Sequence, residues 1–246
     1  MLGFIDNIHG LWIGELKELQ IMSIKSFLSH GHRYNLWAYS DMDAPPGTNL
    51  LDADKIVPRK VYEKWMLNPY NHKLQTFANY FRYKLIHEKG GFWCDLDLVC
   101  LKALVFKQEY IFLNIEDIPL RRELNHLKHL LGPYGNIANG LFKAPSGSPM
   151  LQSLIEKIEP SAINGECPEH FGTWGAVEFS KSVVDHQLLS HKKKGLIEYG
   201  YAYAERQYDD PHLNLPDSHT IHFWNYLGGK KASHNSLYDR MKRKYI

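Results

Sequence analysis

Residues 72–101 join an amphipathic helical pattern to an apolar strand through two consecutive glycines, and that junction constrains the fold more than any other part of the chain. Leu74, Phe77, Ala78, Phe81 and Leu85 recur at three- and four-residue steps, which predicts a helix over 72–89 with one apolar stripe. Gly90-Gly91 ends it, since glycine alone takes the left-handed backbone of a sharp exit at no steric cost. Residues 92–101 then read as a strand. Upstream, Ile8 to Ile13, a helical pattern over 15–29 closed at His30-Gly31, and Tyr34 to Tyr39 give strand, helix, strand, followed by a turn at Pro45-Pro46-Gly47. This alternation predicts βαβ units and a mostly parallel sheet with flanking helices, an α/β fold. Weaker signals place strands at 136–143 and 219–226 and helices at 148–158 and 177–189. Residues 114–134 are rich in charge and His without a clear period, suiting either an active-site loop or a small helical insertion.

Composition narrows the class. A chain of 246 residues, 44% apolar and 23% charged, suits one domain and excludes disordered, collagenous and coiled-coil classes. Cys94, Cys100 and Cys167 are an odd, sparse set without zinc-site spacing, which favours a reducing compartment. No apolar run approaches the ~20 residues of a membrane span. Met1 to Ile13 lacks the basic segment of a secretory signal, so a cytoplasmic, bacterial-type protein is expected. The formal charge is +2, but residues 228–246 carry net +5 through Lys230, Lys231, Arg240, Lys242, Arg243 and Lys244 against Asp239. The remainder is therefore acidic, and nucleic acid is not an expected partner. The basic C-terminal tail reads either as a solvated end or as a peripheral contact with an anionic inner-membrane face.

The chemistry lies in Phe92-Trp93-Cys94-Asp95-Leu96-Asp97-Leu98-Val99-Cys100. Side chains alternate along a strand, so Cys94, Leu96, Leu98 and Cys100 share one face and Asp95, Asp97 and Val99 the other. On a continuous strand the carboxylates stand ~6.7 Å apart and repel by about 2.5 kcal/mol at an effective dielectric near 20. Three devices hold such a pair: a proton on one carboxylate, cations beside both, or a divalent metal. In an open α/β sheet ligands sit at the carboxyl ends of strands, and a metal there can neutralise a departing diphosphate. The same spacing in Asp41-x-Asp43 and Asp52-x-Asp54 falls in polar, proline-rich surroundings and reads as loop.

The run from Phe77 through Arg82, Gly90-Gly91 and Phe92-Trp93 to Asp95-Leu96-Asp97 resembles the Asp-x-Asp sugar-binding region of retaining glycosyltransferases. It is most similar to the family 32-like group of yeast-type initiating mannosyltransferases, α-1,4-galactosyltransferases and bacterial capsule enzymes, and more distantly to large clostridial toxin glucosyltransferases. Two further segments match the group in order: Ile8-His9-Gly10-Leu11-Trp12-Ile13-Gly14 and Ile221-His222-Phe223-Trp224-Asn225. The resemblance implies a GT-A fold, a Rossmann-like sandwich binding a nucleotide-sugar, usually a UDP-sugar, with Mn2+ or Mg2+. It implies that Trp12 stacks on the base, Arg82 contacts donor sugar or diphosphate, and Asp95 holds ribose or sugar and reaches the metal. Asp97 would ligate the metal directly, His222 would be a third ligand, Trp224 would close over the diphosphate, and Asn139 would face the donor. The acceptor would be a saccharide, free or lipid-linked, and the pathway surface polysaccharide synthesis.

Asn79 departs from the group, whose members often have Asp three residues before the arginine, and its amide bears on donor-sugar preference. Gly175-Ala176 stands where relatives often carry Gly-Pro, and no role is carried onto it. The resemblance divides one GT-A domain into a nucleotide-sugar half over 1–105, an acceptor-side half over 106–227 and the tail over 228–246. Each assignment has a plainer rival: Trp12 as core, Arg82 as surface partner of Glu88 or Asp54, His222 as a structural histidine, and Asn139-Gly140 as a turn. For the whole chain the rivals are a nucleotidyltransferase, which wants a glycine- and lysine-rich phosphate loop near the N-terminus, and a non-catalytic glycan-binding module. Front-face attack and double displacement both stay open.

Overall fold

The structure is a computed structural model that describes residues 6–114, 137–169, 172–197, 203–224 and 231–246. The first βαβ unit is β1 (Ile8–Leu11), α1 (Glu18–Ser29) and β2 (Tyr34–Ala38), followed by β3 (Asn49–Asp52) and α2 (Arg59–Met66). Helix α3 (Lys73–Lys89) leads into β4 (Gly91–Cys94). Gly90 between them has φ +67°, and a Cβ there would lie 2.8 Å from the Ser146 amide nitrogen, so no other residue fits. Further along come β5 (Leu98–Cys100), β6 (Ile111–Asn114), β7 (Ile137–Ala144), α4 (Pro149–Ala162) and α5 (Glu178–Asp185). The chain closes with β8 (Lys192–Lys193), α6 (Ala204–Asp209), β9 (Thr220–His222) and α7 (Leu237–Tyr245).

Seven strands form one sheet in the order β3-β2-β1-β4-β7-β6-β8, and β5 pairs with β9 in a second, two-stranded sheet. In the large sheet only β7 runs against its described neighbours, pairing antiparallel with both β4 and β6. Helices cover both faces. Trp65 of α2, Phe77, Phe81 and Leu85 of α3, Leu151 and Leu154 of α4 and Phe179 of α5 pack one face. On the other, Ile24 and Phe27 of α1 meet Ile8, Leu36, Phe92 and Leu98. This is an α/β fold with a mostly parallel sheet, and the same sheet runs across residue 105.

Two expectations are corrected. Residues 92–101 are not one strand. The chain turns over 95–97, with the Leu98 N–H donating to the Asp95 carbonyl at 3.2 Å and the Asp95 N–H to the Gly140 carbonyl at 2.9 Å. Beyond the turn, Leu98 leaves the large sheet and pairs with His222 on β9. The apolar alternation holds across the break, because Cys94, Leu96, Leu98 and Cys100 all enter one core cluster. The carboxylates do not share a strand spacing: the turn faces Asp95 and Asp97 toward different partners. The second correction is the C-terminus, which is not a solvated end. Leu237, Tyr238, Met241 and Tyr245 of α7 are buried against Leu19 and Met22 of α1, Val99 and Ile221. Of its cations, Lys242 pairs with Glu18 and Arg243 with Asp239, while Arg240 donates to the Leu213 carbonyl. Of 114–134, only Asn114, the last residue of β6, lies within the described residues. No described helix is long and apolar enough to cross a membrane.

The docked helix is tested by stability. Met241→Ala is expected to lower unfolding free energy in urea by about 2–4 kcal/mol, the cost of a cavity at a buried methionine. Lys244→Ala, on the outer face, should stay within about 0.5 kcal/mol. Equal, negligible losses would mean that α7 does not pack.

Candidate active site

The site forms where the strand order reverses. β1 has β2 on one side and β4 on the other, both parallel to it, and the crevice beyond their carboxyl ends is where such sheets take ligands. Trp12 follows β1 and Asp95 follows β4. Gly10 allows the approach: a Cβ there would sit 2.6 Å from Leu96 Cδ1 and 3.1 Å from the Cys94 carbonyl oxygen. Trp12 is half-buried, its backbone N–H bonded to the Trp37 carbonyl and its Nε1 donating to the Glu15 carbonyl at 2.9 Å.

Arg82 and Asp95 make the first charged pair. Arg82 Nη2 lies 3.1 Å from Asp95 Oδ1, and Trp93 Nε1 donates to the same oxygen at 2.8 Å. The guanidinium lies over the Trp93 ring at 4.7 Å, gives Nη1 to the Asn139 carbonyl at 2.6 Å and Nε to the Ala78 carbonyl at 3.2 Å. This buried arginine is thus not a surface partner of Glu88 or Asp54. Asp95 Oδ2 faces Gly140, where a Cβ would come within 2.8 Å of it and 3.8 Å of His222 Cε1. Asn139 and Gly140 therefore belong to β7 rather than to a turn. Asn139 Nδ2 contacts Asn79 Oδ1 at 2.8 Å and Tyr83 Oη at 2.7 Å.

Asp97 and His222 make the second pair, with His222 Nε2 at 3.0 Å from Asp97 Oδ1. It is built by the two-stranded sheet, in which the Phe223 N–H donates to the Asp97 carbonyl at 2.9 Å. Trp224 stacks on the His222 ring with centroids 3.6 Å apart and planes 20° apart. It holds φ +59°, a conformation costly for a bulky residue and common at functional sites. The side chains of Asp95 and Asp97 are only 28% and 21% exposed, so they line a crevice and not an open surface.

Burial raises the Asp95 carboxyl above its usual value, against the pull of Arg82, with the Asp97 charge adding to the rise. Burial also pushes Asp97 upward, but the facing His222, by charge and hydrogen bond, outweighs it and holds Asp97 below 3.8. One carboxylate is thus held firmly ionised beside one that resists ionisation, as expected of a close acidic pair. Among the described residues no group of three or more His, Cys, Asp and Glu is assembled to enclose a metal. Asp97 Oδ1 and His222 Nε2, with Asp95 Oδ2 beside Gly140, are the oxygen and imidazole donors that a divalent cation would draw on.

The structure thus brings Asn79, Arg82, Asp95, Asp97, Asn139, His222 and Trp224 into one neighbourhood, with Trp12 at the adjoining strand end. Sequence reasoning missed Tyr83, Trp93 and the shaping glycines Gly10 and Gly140. A signal for Tyr83 was present, since Asn79, Arg82 and Tyr83 sit at the i, i+3, i+4 spacing of one helix face.

Asp97's lowered carboxyl contributes stability that is complete above the ordinary value of 3.8 and is lost as pH falls through the lower folded value. Asp97→Asn is therefore expected to lower the metal-free melting midpoint at pH 7 by roughly 5 °C, the worth of a charge-assisted hydrogen bond of about 2 kcal/mol in a chain this long. The gap should close as pH falls below 3.8 and the wild-type carboxyl also loses its charge. A gap that persists unchanged at pH 2.5 would contradict this origin.

A family model described as the glycosyltransferase sugar-binding region containing the DXD motif matches residues 17–114. No curated protein matches the chain in sequence. Among solved structures it is similar to the galactosyltransferase LgtC in complex with donor and acceptor sugar analogs, at 12% identity, covering 98% of this chain and 96% of that one with TM-score 0.51. The PaToxG glycosyltransferase is 14% identical over 74% of this chain and 68% of that chain, with TM-score 0.51. The bifunctional glycosyltransferase WbbM is 10% identical, with TM-score 0.50, and the whole of this chain spans half of it. At these identities the structures speak for the fold, which is that of the GT-A glycosyltransferases. Over residues 17–114 the chain thus matches the glycosyltransferase sugar-binding region containing the DXD motif, on a fold shared with the GT-A glycosyltransferases.

Proposed function

We propose that this protein is a metal-dependent retaining glycosyltransferase that moves a hexose from a nucleotide-sugar, a UDP-sugar by preference, to a hydroxyl of a saccharide or lipid-linked saccharide in surface polysaccharide synthesis. The observation that carries the reading is the pairing of Arg82 with Asp95 and of Asp97 with His222 around Gly140 at the sheet's reversal point. Two carboxylates at such a crevice, one beside the Arg82 guanidinium and one beside the His222 imidazole, suit a sugar diphosphate better than a neutral glycan. A nucleotidyltransferase is disfavoured because Gly10 and Gly14 with Lys17 are poor substitutes for its phosphate loop. Donor contacts draw on residues 1–105 with Asn139, His222 and Trp224 added from beyond them, and the acceptor side is assigned to the rest of 106–227.

In this reading Trp12 stacks on the base, and Asp95, turned by Arg82 and Trp93, accepts hydrogen bonds from ribose or sugar hydroxyls. Asp97 and His222, with Asp95 assisting, would hold Mn2+ or Mg2+. That ion supplies charge neutralisation at the diphosphate leaving group. Arg82 adds fixed positive charge on the same side, and Trp224 covers the diphosphate from water. The bond from the anomeric carbon to the phosphate oxygen breaks as the bond to the acceptor oxygen forms on the same face. The acceptor's proton passes to the departing phosphate oxygen, so no side-chain base is required.

Manganese-dependent release of nucleoside diphosphate from a panel of nucleotide-sugars tests the proposal. At least one donor is expected to turn over, and Asp97→Asn should reduce kcat/KM by about 100-fold or more, as losses of transition-state charge stabilisers do. Silence across the panel would favour a glycan-binding module, and consumption of sugar 1-phosphate with a nucleoside triphosphate would favour a nucleotidyltransferase.

A further inference from the structure

The hydrogen-bond chain behind Asn139 has a direction that proton counting fixes. Tyr83 Oη lies 2.8 Å from the Trp174 carbonyl oxygen and 3.4 Å from that of Gly175. Neither carbonyl can donate, so the phenol's single proton points at them. The Asn139 atom 2.7 Å from the same Oη must then be the donor, which makes it Nδ2. The second proton of that amide goes to Asn79 Oδ1 at 2.8 Å. Both protons of the Asn139 side chain are engaged, and its backbone carbonyl takes Arg82 Nη1 at 2.6 Å. What remains is Asn139 Oδ1, which can only accept, on a half-buried residue next to the glycine that faces Asp95.

We infer that Tyr83 is a positioning residue that fixes Asn139 as a pure hydrogen-bond acceptor, so that the donor sugar must present a hydroxyl to it. Tyr83 cannot touch substrate itself. It is fully buried, with its ring stacked on Phe179 at 5.7 Å and 8°. Burial pushes its phenol well above the usual range, so the proton is retained at neutral pH. Asn79 is held from behind as well: a Cβ on Gly175 would lie 3.2 Å from Asn79 Nδ2. A carboxylate or phosphoryl oxygen brought to Asn139 Oδ1 would meet lone pair against lone pair, so a sugar acidic at that carbon is rejected. A sugar lacking the hydroxyl leaves the oxygen unpaired, and sites built on such a bond discriminate strongly. The sugar half of this inference rests on the donor site proposed above.

Tyr83→Phe tests it in two ways. The first needs no turnover: side-chain amide exchange in the 15N-labelled protein, with the Asn139 signal assigned by its loss in Asn139→Asp. Wild type should show a protected amide, and Tyr83→Phe should exchange about tenfold faster or more, as one of two hydrogen bonds is gone. An Asn139 amide that exchanges in wild type as fast as an exposed one overturns the inference. The second uses the nucleotide-hexose turned over fastest in the manganese panel, with its 2-, 3-, 4- and 6-deoxy analogues. In wild type one deoxy position should lose about tenfold or more in kcat/KM, the worth of one hydrogen bond, and Tyr83→Phe should lose most of that discrimination. The nucleoside diphosphate of that donor, which lacks the sugar, should bind both proteins within about twofold, showing that the variant is folded. Unchanged discrimination in the variant overturns the inference. If wild type turns over no nucleotide-sugar, the functional reading falls together with the sugar half, while amide exchange still decides the polarity.

Discussion

Two carboxylates two residues apart at the end of a buried strand cannot both ionise there without separate compensation, and the local structure follows from that constraint. A continuous strand would hold Asp95 and Asp97 on one face with one environment. The turn at 95–97 sends Asp95 back to Arg82 and Trp93 beneath the large sheet and Asp97 across to His222 on the small one. Each charge gains its own partner. The opposite directions in which the two carboxyls are displaced follow from that division: burial pushes both upward, and only at Asp97 do the charge and hydrogen bond of His222 together outweigh it.

What was legible in the sequence is what repeats or punctuates. Helix α3 with its Gly-Gly exit and the first βαβ unit announce themselves by period and punctuation, while α4 gives a weaker signal and is capped by Ser148, whose Oγ accepts from the Leu151 N–H. Strand β3 has only Leu50 and Leu51 as apolar residues, and α2 repeats Val61, Tyr62, Trp65 and Met66 over only eight residues, too short a window for its period to stand out. The break after Cys94 was hidden because the apolar alternation is preserved through it, so pattern alone cannot separate one strand from two that feed one core. Helix α7 was masked by its charge, which covers the outer face of a helix whose other face is buried.

The site residues divide in the same way. Arg82, Asp95, Asp97 and His222 are readable because their chemistry is conspicuous. Gly10 and Gly140 are not, since their role is an absence of atoms: each leaves room for the 94–96 segment, and that demand exists only once the strands are paired. Tyr83 looks like an ordinary aromatic of a helix stripe until the position of the Trp174 carbonyl gives its hydroxyl a direction. The same geometry bears on Asn79. It serves Asn139 through Oδ1, an acceptor that an aspartate would also supply, so the amide leaves the support of Asn139 intact and differs in lacking the carboxylate charge and in the Nδ2 turned toward Gly175.

The placement of His222 depends on parts of the chain far from the crevice. Its strand is paired only to β5 and, through Thr220, to Ile197 among the described residues. β5 is held from one side by α1, where Ser23 Oγ donates to the Leu98 carbonyl at 2.6 Å and Ser26 Oγ accepts from the Cys100 N–H at 2.8 Å. The C-terminal helix closes the arrangement, with Tyr245 Oη donating to the Cys100 carbonyl at 2.9 Å and its apolar face against Val99 and Ile221. The basic terminus, whatever its outer face meets, therefore works inward as part of the frame that sets His222 against Asp97. A shift in α7 would reach the Asp97–His222 pair through β5 and β9 while leaving Arg82 and Asp95, which are anchored in the large sheet and α3, where they are.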